Sequence, residues 1–467
     1  MTLATSTEIY EACQDAGDTQ EEQMKCIIEQ LLQQDTQDQN YSSTIFLVYS
    51  AALVFFMQAG FAMLCAGAVR KKNVQNTMLK NLLDACGAAI AYFCFGYAFA
   101  FGDGSNPNGF IGTTNFFLMG VDDYAFWMFQ YAFSAASATI VAGTLAERCQ
   151  MAAYLCYSLL LAGFVYPVVA HSIWSEFGFM SSLNPKPLFD SGMIDFAGGG
   201  VVHLTGGVTA LFATMILGPR RGRFHDDEGR KLDKPKDFPG HSIALQMLGT
   251  IILWFGWYKA LRKALTTFLH STVEPWAAVC IGACAGLLYL GGSHTLIKLR
   301  LDDAVDAIPV HMMNGIWGLI AVGLLASPSR LLLTFGEEVA HVGWFYSWSR
   351  GSGDARLLAC QIVGILWILG WVLGVMLPFF IWLDWKGWFR SDPLEEIVGL
   401  DTSYHGGLIL MSGDESVNPE YISQFKQQRN NMRQRKLHLH GQNSLDEEAE
   451  GGTVPESGGS NTNIDDR

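Results

Sequence analysis

Two histidines, His203 and His311, stand well inside long apolar blocks of the chain. An ionisable group at membrane depth is costly, so by default it faces other protein or a water-filled path. Their surroundings repeat: Asp195 and Asp303 each precede a histidine by eight residues, and Gly207 and Gly315 each follow one by four. An uncharged imidazole offers one donor and one acceptor nitrogen. A facing pair can therefore share a proton and hydrogen-bond a small polar molecule without fixing a net charge in the bilayer. Metal binding is disfavoured, because neighbouring apolar segments supply no third Cys, His or carboxylate ligand.

At 100° per residue, the helical neighbours of His203 are Gly199, Gly206, Gly207 and Ala210, and those of His311 are Ala307, Gly315 and Gly318. Two readings of these small residues stand side by side. In one they permit close helix packing, each histidine donating to a neighbouring carbonyl. In the other they keep side chains out of a lumen that the histidines line. The aspartates likewise serve as ordinary helix N-caps or mark the start of a duplicated unit. The repeat favours a duplicated transporter, in which sites lie between repeats near the midplane.

The elements that must carry these residues are transmembrane helices. Half of the 467 residues are hydrophobic and 16% are charged, with apolar blocks separated by short charged clusters, the pattern of a polytopic membrane protein. Residues 44–69 carry no charge over 26 positions, about 39 Å of helix against a hydrocarbon core of roughly 30 Å. Nine spans are predicted: 44–69, 82–101, 124–146, 151–174, 196–218, 241–258, 274–297, 305–326 and 357–383.

Lys and Arg orient them. Arg70, Lys71, Lys72 and Lys80 follow the first span and seven bases lie between Arg220 and Lys236, whereas residues 102–123 have none. The N-terminus is thus expected outside and, with nine spans, the C-terminus inside. Lys259, Arg262 and Lys263 disobey this rule.

The formal charge of −14 says little about partners, because residues 1–40 carry −8 and residues 412–467 carry −4. Both tails are polar and expected to be partly disordered. Nothing before Tyr41 has the apolar core of a cleavable signal peptide. Of ten cysteines, eight lie in or beside apolar spans as small hydrophobes. Cys13 and Cys26 either form a disulfide, within or between chains, or remain thiols. The expected domains are an acidic extracellular tail (1–40), a transmembrane domain (41–390) and a cytoplasmic tail (391–467), largely disordered after residue 410.

The stretches "DFAGGGVVHLTGGVTAL", "FQYAFSAASATIVAGTLAER", "YPVVAHSIW" and "DDAVDAIPVHMMNGIWGLIAVGL" together resemble the ammonium transporter, methylammonium permease and Rhesus protein superfamily, eukaryotic ammonium transporters above all. The resemblance implies an all-α polytopic helical bundle with inverted repeats, imperfect here, in a plasma-membrane trimer, homomeric or mixed with related subunits. It implies a transporter of ammonium or methylammonium, neither an enzyme nor a nucleic-acid binder, with no cofactor. Trp174 resembles the family's vestibule tryptophan, where an aromatic face holds ammonium, and Phe133 one of two stacked phenylalanines closing the pore mouth. Asp195 resembles the buried acid organising the recruitment region, His203 and His311 the twin lumen histidines, and Trp257 a pore-lining tryptophan. The residue-level alternatives are a belt tryptophan and an ordinary apolar phenylalanine.

The implied mechanism strips ammonium of a proton near the phenylalanines and passes neutral ammonia along the histidines while the proton takes a separate route. Two departures stand out. Family members have eleven spans, but after Tyr258 this chain reads "KALRKA", placing Ala260 where the second gate phenylalanine belongs and Ala264 where the vestibule serine belongs. The resemblance implies that two of the family's helices are absent here. The tail "EEIVGLDTSYHGG" resembles the family's subunit-contact motif, with Gly407 where many members have glutamate. Lys426 to Lys436 form a basic cluster that meets either solvent or anionic lipid. Besides transport, the deletion suits a non-conducting subunit that regulates full-length copies; a proton or water channel is the third reading.

Overall fold

Unbroken apolar blocks leave the backbone no water to bond, so each folds into a helix that satisfies its own N–H and C=O groups. The computed structural model describes residues 13, 19–226, 228–266, 272–336, 338–405, 420–428 and 430–431, and side chains at 34–39 and 257–266 fall outside that description. Two units result, Met1–Ser391 and Asp392–Arg467. In the first, nine helices correspond to the expected spans: α1 (Gln20–Ala68), α2 (Lys71–Phe101), α3 (Tyr124–Thr144), α4 (Met151–Trp174), α5 (Gly199–Leu217), α6 (Ile243–Thr266), α7 (Pro275–Lys298), α8 (Ile308–Leu325) and α9 (Arg356–Trp385). Eight of these are long and apolar enough to cross a membrane, and Ile243–Gly256 of α6 is a shorter apolar segment. The described residues contain only isolated β-bridges. The second unit includes the helices Pro393–Val398 and Leu400–His405.

Within the acidic tail, expected to be partly disordered, residues 20–40 continue the first span as one 49-residue helix. A reciprocal cap explains the start: Thr19 accepts from the Glu22 N–H and Glu22 from the Thr19 N–H. The Gln, Glu and Leu content behind it favours a helix. Cys13 and Cys26 are joined in a disulfide. The cysteines Cys65, Cys149 and Cys360 are buried in the bundle as free thiols.

The core runs through α3, α4, α5 and α9, with Ile140, Leu161, Val169, Leu204, Ile368 and Phe380 at or near zero exposure. By contrast α7 shows Trp276, Val279, Leu287 and Leu290 on its surface, and α6 shows Met247, Ile251 and Trp254. In a bilayer these faces meet lipid or another protein.

Where four loops meet at one end of the bundle, buried charges bind them together. Glu147, after α3, is hydrogen-bonded by the Arg70 backbone N–H at 2.9 Å and pairs with Arg220 at 3.2 Å. Arg220, after α5, also grips Asp302 before α8, its Nε at 2.8 Å from Oδ2 and its Nη2 at 2.9 Å from Oδ1. Fully buried Arg148 donates to the carbonyls of Gly218 and Asp302 at 2.8 and 2.7 Å. Such a pair is expensive to break because one partner remains buried alone.

Burial pushes the Glu147 carboxyl up, but Arg220 and Arg70 outweigh it and hold its pKa below the ordinary range. For Asp302 too, burial is outweighed by Arg220. Depressed carboxylates stabilise fully above the unfolded pKa and lose that contribution as pH falls through the folded one. Glu147 and Asp302 are therefore expected to contribute constantly from pH 7 to about 5 and to lose that contribution below about 4, read as a falling thermal midpoint of the purified protein in detergent. Arg220→Met should cost about 3–5 kcal/mol at neutral pH, read as a lower midpoint.

Candidate functional site

The Asp–His–Gly repeat has a common physical form in both halves. Each histidine lies in a widened π turn at the head of its helix, Gly199–Leu204 in α5 and Ile308–Met313 in α8. Such turns recur at functional positions. Each aspartate receives the backbone N–H five residues ahead: Gly200 to Asp195 Oδ2 at 2.9 Å, and Ile308 to Asp303 Oδ2 at 2.7 Å. Val201 adds a second bond to Asp195 at 2.8 Å. Neither acid is a formal N-cap, because it reaches over the turn that precedes the helix. Gly198 makes that reach possible with φ +77°, and a Cβ there would lie 2.8 Å from Val202. Burial raises the pKa of Asp195, which its bonds from Val201 and Gly200 only partly offset, and pushes Asp303 up to about 6.

The glycines at the far end of the repeat lock α5 to α8. A Cβ on Gly207 would come within 2.5 Å of the Met312 nitrogen, and one on Gly315 within 2.6 Å of the Gly199 carbonyl. Gly206 is equally constrained by the Ser137 carbonyl at 2.8 Å. The close-packing reading thus holds for these three, whereas Gly318 faces open space.

This approach brings the imidazoles together. His203 Nδ1 and His311 Nδ1 are 2.9 Å apart, and the rings stack at 9° with centroids 5.1 Å apart. One ring must donate its Nδ1–H to the bare Nδ1 of the other. His311 is 6% exposed, and the Phe61 ring lies 6.2 Å from it.

Trp174, at the end of α4, donates its indole N–H to the Asp195 carbonyl at 2.7 Å. Phe133 meets it edge-on, with centroids 5.9 Å apart, and Phe129 packs edge-on to Phe133 at 4.9 Å. The structure therefore gathers Phe133, Trp174, Asp195, His203 and His311 into one connected column. Trp257 belongs to α6, but its side chain lies outside the described residues, as do those of Ala260 and Ala264.

Phe61 and Phe129 were not among the sequence candidates. Each is one phenylalanine among many in apolar helices, and only the fold brings it to the column. No group of three or more His, Cys, Asp or Glu side chains suited to a metal ion occurs among the described residues.

Below His311 a cavity of about 570 Å³ is bounded by α1, α6, α7 and the segment before α8. Its wall includes Leu253, Thr250, Tyr289, Ser293, Asp303 and Asp306.

A bundle of membrane-spanning helices with a buried polar pair held between two repeat-related segments defines a multi-pass membrane transport protein. The sequence profile described as Ammonium Transporter Family matches residues 45–259 and 264–408, and the chain belongs to that family, whose members are transporters and not enzymes. The chain is 37% identical over 423 residues to "Ammonium transporter 3" of Dictyostelium discoideum, covering 79% of this chain and 94% of that one. It is 38% identical over 450 residues to "Ammonium transporter 1 member 3" of Solanum lycopersicum, covering 82% and 96%. Among solved structures it resembles a "Sensor Amt Protein" with TM-score 0.64 and 26% identity over 77% of this chain and 97% of that chain. Mep2 of Candida albicans follows with TM-score 0.60 and 26% identity over 75% and 86%. The profile match breaks at 260–263, within the stretch that departs from the family motif.

Replacing Asp195 by Ala should leave the Gly200 and Val201 N–H groups buried and unpaired, at about 1–3 kcal/mol each. A fall in thermal midpoint, with partial recovery in Asp195→Asn, is the expected outcome of a melting series in detergent.

Proposed function

We propose that this protein carries ammonium or methylammonium across the plasma membrane, by recruiting the cation at Trp174 and passing it as neutral ammonia along His203 and His311. The observation that carries the reading is the 2.9 Å contact between the two histidines inside the bundle. Such a pair lines a narrow route with one N–H and one bare nitrogen on each ring, which suits ammonia as acceptor and donor in turn. A bare cation at this depth would be expensive. Crossing as ammonia avoids that cost, and the proton travels separately.

At the mouth, the Trp174 face supplies cation–π attraction, worth about 0.5–2 kcal/mol. Phe133, packed edge-on against it, closes the way to water. Asp195 orients the region by holding the first turn of α5 and by placing its carbonyl on the Trp174 indole. Potassium is excluded because it has no proton to lose. The N-terminus faces outward and the C-terminus the cytoplasm, and the chain assembles as a trimer of its own or related subunits.

A second reading is favoured by the break at 260–263 and by the bare apolar faces of α6 and α7. In it the chain is a non-conducting subunit that assembles with full-length transporters and regulates them.

Labelled methylammonium uptake into transporter-deficient cells separates the two. Transport predicts saturable uptake insensitive to excess potassium, reduced at least tenfold by His311→Ala and with a raised half-saturation concentration in Trp174→Leu. Zero flux alone combined with altered flux on co-expression with a full-length relative would select the regulatory subunit. Uptake left unchanged by His311→Ala would remove the histidine route.

A further inference from the structure

The cavity below His311 is much larger than ammonium requires. Its volume of about 570 Å³ compares with about 30 Å³ for a water-sized molecule and falls among pockets that take small organic ligands. Its chemistry is divided. Phe61, Leu64, Leu253, Leu296 and Ile297 make apolar walls, while Asp303, Asp306, Tyr289 and Ser293 gather on one side.

The cations on its rim are already matched. Arg220 pairs with Asp302 and Glu147, and Arg223 lies 3.8 Å from Asp302 and 3.9 Å from Asp237. Asp303 and Asp306 have no arginine or lysine partner among the described residues. Asp303 is held by the N–H groups of Val305 and Ile308 at 3.3 and 2.7 Å. Asp306 accepts the Tyr289 hydroxyl at 3.2 Å and that of Ser293 at 3.1 Å. A carboxylate has about four lone-pair sites, so Asp306 retains room for a further donor. At the roof His311, 6% exposed, gives its Nδ1 to the other histidine and keeps Nε2 as its remaining polar atom.

We infer that this cavity is a binding site for a small organic ammonium ion, a primary amine with an apolar body, whose charged end lies at Asp306 and whose body lies against Leu253, Leu296 and Ile297. The ammonium group has three N–H donors for the Asp306 carboxylate, the neighbouring Asp303 and the tyrosine oxygen. An anion is disfavoured by the two unmatched carboxylates, and a bare metal ion by the apolar walls. The site opens where α6 and α7 leave their faces bare, with Thr250 exposed on α6. It does not require that the chain conduct.

The test uses the full chain purified in detergent, with 2-phenylethylammonium as probe and uncharged 2-phenylethanol as control, followed by equilibrium dialysis or calorimetry. One saturable site per chain is expected for the amine and none for the alcohol. Asp306→Asn should weaken amine binding at least tenfold, and Thr250→Trp, which fills the cavity from an exposed position, should abolish it. Equal uptake of amine and alcohol, or an affinity unchanged in Thr250→Trp, would overturn the assignment. Should Asp306→Asn fail to fold, the Thr250→Trp and alcohol comparisons decide alone.

Discussion

The placement of the histidine pair depends on a carboxylate that reaches over a turn to take backbone N–H groups five residues ahead. Asp195 does this for α5 and Asp303 for α8. The first N–H groups of a helix have no intrahelical acceptor, and in a bundle core their desolvation would be costly. Supplying an acid there fixes where each helix starts. The start sets the rotation of the π turn, and the rotation aims the histidine. Eight residues after each acid, both rings face the same point.

Glycine then converts aim into contact. With Gly207 against Met312 and Gly315 against Gly199, the two backbones meet without intervening Cβ atoms. Packed helix axes ordinarily lie 8–10 Å apart, at a distance set by the side chains between them. The bundle places its costly charges away from this centre. Glu147, Asp302, Arg148 and Arg220 join the loops after α3 and α5 to the one before α8, where each ion finds partners. Buried ionic groups can specify an arrangement even where they add little net stability. Here they hold together loops from both halves of the repeat.

Much of this was legible in the sequence. The nine apolar blocks located the helices to within a few residues at most boundaries, because helix and bilayer lengths are matched and charges cluster at the ends. The eightfold spacing from acid to histidine pointed to two equivalent segments, and the structure gives both segments the same turn. The role of the glycines was not legible: a small residue beside a histidine reads the same whether it meets a neighbouring backbone, as Gly207 does, or open space, as Gly318 does. The π turns were also hidden, since the period of an apolar run does not reveal one extra residue. Before Tyr41 composition alone did not locate the helix, because acidic and polar residues suit both a disordered tail and an exposed helix; the Thr19–Glu22 cap marks where it starts.

The chain departs from the family profile at 260–263, yet the two histidines keep their contact. The reason lies in which contacts carry it. α5 is held by α3, α8 and α9, and α8 by α5, α7 and α9, so neither histidine-bearing helix depends on α6. The break in the family profile falls within α6. Asp303 follows Asp302, which Arg220 ties to Glu147, so it lies at the end of the bundle carrying that network. Enclosure is a separate matter: the cavity below His311 is lined by α6 and α7, whose outer apolar faces are bare, so bilayer or partner protein must cover them.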